Sequence, residues 1–222
     1  MLTFSLIFSF ITIPASAQED NEEFIGYTGP VELGYIDFDT TNTDLAGKEL
    51  LLQGSNLVKQ RLYKYLNVSR LTQTDSRWGD EIMETAGLTI RDAGCILTSF
   101  TMVVRYNGFS DNPAQVNNEI GNHACPFHYA SAANCYGLSI YESAGSVSDT
   151  SAINFIVAAV ANDRPVLVAL KNGSSTHTVL AYGYSGSTIA IHDPETRWAT
   201  PYSTLNDFFN RGWYVTSLYT FS

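Results

Sequence analysis

The second half of the chain carries apolar and alternating runs, the first three of them divided by gaps of hairpin length, and no other feature restricts the fold as much. Residues 165–170 (PVLVAL) form an apolar, β-branched run closed by Asn172-Gly173. Residues 176–184, 188–192 and 213–221 alternate as strands do, with turn chemistry at Ser185-Gly186 and Asp193-Pro194. Gaps this short join antiparallel neighbours, so a largely antiparallel sheet is expected. The first half reads as helices. Cys95–Tyr106 has the pattern of a buried helix stopped by Asn107-Gly108. Pro113–Ile120 is a shorter one with proline in its first turn, and residues 150–161 make a third. Residues 55–66 (SNLVKQRLYKYL) predict another, with Ser55 as N-cap and Leu57, Val58, Leu62, Tyr65 and Leu66 near helical spacing. Helices followed by an antiparallel sheet define an α+β domain, a helical half packed on the sheet.

The N-terminal region has a different character. Residues 1–17 (MLTFSLIFSFITIPASA) combine an apolar run, Pro14 and an Ala15-Ser16-Ala17 ending, the signature of a cleaved signal peptide. The run is too short for a bilayer span of roughly 20 residues, so an exported chain with no span after processing is expected. Residues 18–47 are acidic and broken by Gly and Pro, a spacer or pro-segment, and residues 48–222 are assigned to one domain. Eight of the 22 acidic residues precede the first basic residue, Lys48, leaving 14 against 12 in the remainder. Without clustered positive charge a nucleic-acid surface is excluded. The chain is expected to be a monomer.

Four residues carry candidate chemistry. Cys95 stands between Gly94 and an apolar helix, where unpaired amides and the helix dipole favour a thiolate, and its own amide is placed to donate to an oxyanion. Taken alone, such a cysteine is more often a small buried hydrophobe. A nucleophilic thiolate also needs a base and a group that orients the base. His177, at the head of one strand, and Asp193, where the next strand ends, are brought together by the hairpin around Gly186. Singly, they read as a structural histidine and a turn-forming Asp-Pro. Gln73, in LTQTDSRWGDE, is positioned before the cysteine as a second oxyanion donor, although a loop glutamine is ordinarily just solvated.

The segment GNHACPFHYASAANCYG holds His123, Cys125, His128 and Cys135. Their spacing matches no standard zinc finger, and in an exported chain a Cys125–Cys135 disulfide is expected, leaving Cys95 free. Phe127, Tyr129, Tyr136, Tyr141, Trp198 and Tyr202 are available to line a peptide or glycan cleft, with packing the default role for most.

In this order, QTDSRWGDE, Gly87-Leu88-Thr89-Ile90, AGCILTSFTMVVRYNG, Pro113–Ile120, HTVLAYGY and IHDP resemble the double-glycine-leader (bacteriocin-processing) peptidase-like family of papain-like cysteine peptidases, over residues 70–222. The resemblance implies a papain-like fold with Cys95 as nucleophile, His177 as general base and acid, Asp193 as its orienter and Gln73 in the oxyanion hole. It also implies a peptide or protein substrate, cell-wall peptide among the options, and no cofactor. Ile96 replaces the small residue many members carry after the cysteine. The long interval from Gln73 to Cys95 makes the chain more similar to free-standing exported relatives than to transporter-fused ones. A catalytically silent binding module on the same fold is the alternative, and acyl transfer to an amine is a third option.

Overall fold

The computed structural model describes residues 63–83, 86–198 and 202–222. The expected signal peptide, the acidic spacer and most of the helix expected over residues 55–66 lie outside them. The end of that last segment is not helical. Tyr63–Tyr65 forms strand β1, paired antiparallel with residues 183–185 of a long strand. Helical spacing loses to edge pairing here, because Tyr65 lies across Gly183, where a Cβ would collide with the Tyr65 ring and the carbonyl of Lys64.

The helical part follows. A small hairpin, β2 (Ile82–Met83) and β3 (Leu88–Thr89), leads into a single-turn helix, α1 (Ile90–Ala93), capped by the Thr89 hydroxyl on the Asp92 amide. Gly94 interrupts the chain and α2 (Cys95–Tyr106) begins. α2 ends where the sequence predicts, with Asn107 as C-cap and Gly108 at φ +97°. Every residue from Leu97 to Val104 is buried, so α2 is enclosed on all sides. Phe100 anchors it: its ring meets Phe127, Tyr136 and Phe221 edge-on with centroids 5.3, 6.3 and 5.5 Å away. α3 (Pro113–Ile120) starts with a reciprocal capping box between Asn112 and Gln115, and α4 (Tyr129–Cys135) completes this half.

The sheet holds β4 (Ile140–Ala144), β5 (Val166–Asn172), β6 (Ser175–Ser185), β7 (Thr188–His192) and β8 (Tyr214–Phe221). Its order is β1-β6-β5-β8-β4, β7 also pairs with β6, and every pairing is antiparallel. Two-residue hairpins at Gly173-Ser174 and Gly186-Ser187 fix the registers Asn172↔Ser175 and Ser185↔Thr188. In both the first residue has positive φ, which glycine adopts without strain. α5 (Asp149–Ala161), capped by Ser148, packs on β6 and β8, and α6 (Leu205–Phe209) packs on β7. The result is the expected α+β arrangement, a helical part against an antiparallel sheet, sharing one hydrophobic core.

The cysteine-rich segment departs from expectation. Cys125 and Cys135 are free thiols. The loop closes without a disulfide, through a backbone bridge between Ala124 and Phe127 and a bond from the His128 amide to the His123 carbonyl. Cys125 is half-buried against the core, whereas Cys135 is carried to the exposed end of α4. Folding residues 129–135 into a helix separates the roles of the two sulfurs, which sequence proximity alone does not reveal.

Candidate active site

Cys95 is the first residue of α2, so its amide has no carbonyl partner within its own helix. Gly94 is required immediately before it. A Cβ there would sit 2.5 Å from the Ile90 carbonyl oxygen and 2.7 Å from Ile90 Cγ2. The turn that presents the thiol is therefore built on the absence of a side chain.

His177 is the third residue of β6, opposite Leu170 of β5. β7 pairs His192 with Leu180, so Asp193 emerges one step further along the same edge, diagonal to His177. The hairpin thus joins the two residues as the sequence predicts: His177 Nε2 lies 2.7 Å from Asp193 Oδ1. Both are buried, at 6% and 2% exposure. The other imidazole nitrogen, Nδ1, is not taken by the carboxylate, and Cys95 is near enough to act on the ring electrostatically. Burial alone would push the imidazole pKa down, but the hydrogen bonds of Asp193 and Cys95 and their negative charge win, raising it from 6.5 to about 9. The ring is held in an aromatic sleeve. Phe208 stacks on it at 5.8 Å, and Trp198 and Trp213 approach edge-on at 5.6 and 6.4 Å.

Asp193 is held more firmly than its place in an Asp-Pro turn suggests. Oδ1 also accepts from the Glu195 amide at 2.8 Å, and Oδ2 accepts from Trp198 Nε1 at 2.9 Å. Its carbonyl receives the Arg70 guanidinium through Nε and Nη2 at 3.1 and 2.9 Å. Three donors thus converge on one buried carboxylate, fixing its plane and hence the imidazole it orients.

Gln73 is brought to the same place. It is buried, and its amide donates to the Pro194 carbonyl next to Asp193 at 2.9 Å. Its side-chain Nε2 donates to the Arg91 carbonyl at 2.8 Å, which leaves one of its two N–H groups available, while Oε1 is buried without a partner. The Arg91 carbonyl accepts a second bond, from Arg197 Nη2 at 3.0 Å. Arg197 itself is fixed by Glu195, whose carboxyl is pushed up by burial but more strongly lowered by its bonds from Arg197 and Thr196. Thr74 and Thr196 hydroxyls meet at 2.5 Å. The loop after β7 is therefore strapped onto α1 and the Gln73 segment from both sides.

All four sequence-predicted residues fall in one neighbourhood. The supporting residues Arg70, Glu195, Arg197 and Trp198 were not singled out for these roles, because their function depends on contacts made across more than a hundred positions or on the shape of one loop. The histidines and cysteines of the 123–135 segment build no second centre. His123 and His128 lie ring to ring at 5.4 Å, and among the described residues no group of three or more His, Cys, Asp or Glu is arranged to hold a metal. Also among the described residues, no helix is long and apolar enough to cross a membrane.

A search of curated proteins found no match. Among solved structures, the chain is similar to a protein of Bacillus anthracis assigned as a C39-like peptidase, at 15% identity and a TM-score of 0.45, over 71% of this chain and 96% of the other. The model of the Peptidase C39 like family matches residues 65–219, a span that contains Gln73, Cys95, His177 and Asp193, and the chain belongs to that family.

Proposed function

We propose that the protein is an exported cysteine peptidase that hydrolyses a peptide or amide bond through Cys95, His177 and Asp193, with Gln73 completing the oxyanion hole. The observation that carries this reading is the 2.7 Å bond between His177 Nε2 and the buried Asp193, which leaves Nδ1 for the Cys95 thiol. This is the ring orientation that a thiol nucleophile needs from its base.

In the proposed reaction the imidazole takes the thiol proton on Nδ1, and the thiolate attacks the carbonyl carbon of the scissile bond. The electron pair moves to the carbonyl oxygen, where the Cys95 amide and the remaining Gln73 N–H receive it. The imidazolium then protonates the leaving amine as the C–N bond breaks. Water, deprotonated by the imidazole, attacks the thioester, and the returning proton releases the thiol. Each step uses a group of the chain itself or water, and the proposed reaction requires no cofactor. Export rests on the N-terminal apolar run and its Ala15-Ser16-Ala17 ending. The family supports a peptide substrate.

The test is cleavage of a peptide library followed by mass spectrometry, with wild type against Cys95→Ala. Cleavage should vanish in the variant. Full activity in Cys95→Ala would sink the proposal.

A further inference from the structure

α2 carries three buried hydroxyls in an otherwise apolar stretch: Thr98, Ser99 and Thr101. A serine or threonine inside a helix ordinarily bonds the carbonyl four residues back. Thr101 does so, donating to the Leu97 carbonyl at 2.8 Å. Ser99 does not. Its hydroxyl leaves the helix and donates to the Thr178 carbonyl on β6 at 3.2 Å.

Both ends of this bond are placed next to the candidate chemistry. Ser99 follows Cys95 by four residues, one turn along the same helix face. Thr178 directly follows His177. The bond is fully enclosed, with Ser99 at 0% and Thr178 at 2% exposure. Elsewhere α2 buries Phe100, Val103 and Val104, whose apolar contacts are less directional than a hydrogen bond, and Met102, whose sulfur accepts from the Leu71 amide outside the main sheet. A hydrogen bond has a preferred length and angle, and this one ties α2 directly to β6.

We propose that Ser99 is a positioning residue: its hydroxyl, donated across the junction to the carbonyl beside His177, sets the separation of the Cys95 thiol and the imidazole. The inference rests on the cysteine-peptidase reading of the site. Other titratable groups facing the pair are Asp193, on the far imidazole nitrogen, Cys125, raised first by burial and then by the charge of Cys95, and Tyr129, raised first by burial, then by Tyr219 and then by Cys95. None of them bonds to Ser99, so its removal alters geometry and leaves these charges in place.

The experiment is the rate of Cys95 alkylation by iodoacetamide in the full chain, from pH 6 to pH 10, with thermal melting alongside. Ser99→Ala should label roughly tenfold more slowly than wild type at pH 6, the factor that one lost hydrogen bond of ordinary strength corresponds to, and should converge on wild type at high pH. Ser99→Thr, which keeps the hydroxyl, should recover the wild-type profile. Thr101→Val, which deletes a hydroxyl bonded within its own helix, should lower the melting temperature without changing the profile. If Ser99→Ala behaves as Thr101→Val does, melting lower with its labelling profile intact, Ser99 is structural only and the inference is overturned. If His177→Ala labels like wild type, the thiol–imidazole pair itself is absent, and this inference falls together with the proposed function.

Discussion

Replacing Asp193 by asparagine changes one atom and should be far from silent. Three donors converge on the two carboxylate oxygens: His177 and the Glu195 amide on Oδ1, and the Trp198 indole on Oδ2. An amide has only one acceptor oxygen. If that oxygen stays toward His177 and Glu195, the new NH2 faces the indole N–H, and a part-buried donor is left unpaired at a cost of about 1–3 kcal/mol. The lost charge adds a second, pH-dependent contribution. His177 is raised from 6.5 to about 9 in the fold, with Asp193 as the first of the causes that raise it. A pKa higher in the folded than in the unfolded state stabilises fully below pH 6.5, and that stabilisation disappears as pH rises through 9. A shift of this size corresponds to on the order of 3 kcal/mol. Cys95 shares in raising the imidazole, so only part of this belongs to Asp193, and urea unfolding of wild type and Asp193→Asn at pH 6, 8 and 10 should show a gap at pH 6 that exceeds the gap at pH 10 by about 2 kcal/mol. By pH 10 the gap should narrow to the unpaired-donor cost of about 1–3 kcal/mol. A gap independent of pH, or one below about 0.5 kcal/mol throughout, would refute the assignment of Asp193 as the charged partner of a buried imidazolium.

Two further outcomes follow from named contacts. Gly94→Ala should destabilise the fold by about 2 kcal/mol and slow Cys95 alkylation, because the added Cβ meets the Ile90 carbonyl at 2.5 Å and the backbone that presents the thiol must move; a variant with wild-type urea midpoint and labelling would contradict this. Unreduced protein unfolded in guanidinium should titrate three thiols with a chromogenic disulfide reagent, since Cys95, Cys125 and Cys135 are all free; a value of one would restore the Cys125–Cys135 disulfide.

Features whose cause is local were legible in the sequence. The glycine stop at Asn107-Gly108 and the apolar run behind Cys95 define α2, and the Gly173 and Gly186 hairpins set β5 to β7. The Gly186 hairpin also places Asp193 against His177, so this contact could be inferred from spacing. Features whose cause is distant were not. Residues 63–65 have helix-like spacing but are drawn into the sheet by β6, and Gly183 provides the room. The Cys125–Cys135 segment looked like a loop needing a covalent staple, yet its second half is helix α4 and its first half is closed by backbone bonds. Arg70 reaches Asp193, and Ser99 reaches Thr178, across 123 and 79 positions, and no period or motif encodes such a pairing.

The most direct test of the central claim is the pH dependence of Cys95 alkylation, read by mass spectrometry in wild type and His177→Ala, because it requires no substrate. An imidazole that accepts the thiol proton should let Cys95 label rapidly at pH 6, well below the ordinary range of a free thiol near 8.5, and at least about tenfold faster than in His177→Ala. Equal rates in the two proteins, both rising only near the free-thiol range, would contradict an activated Cys95–His177 pair.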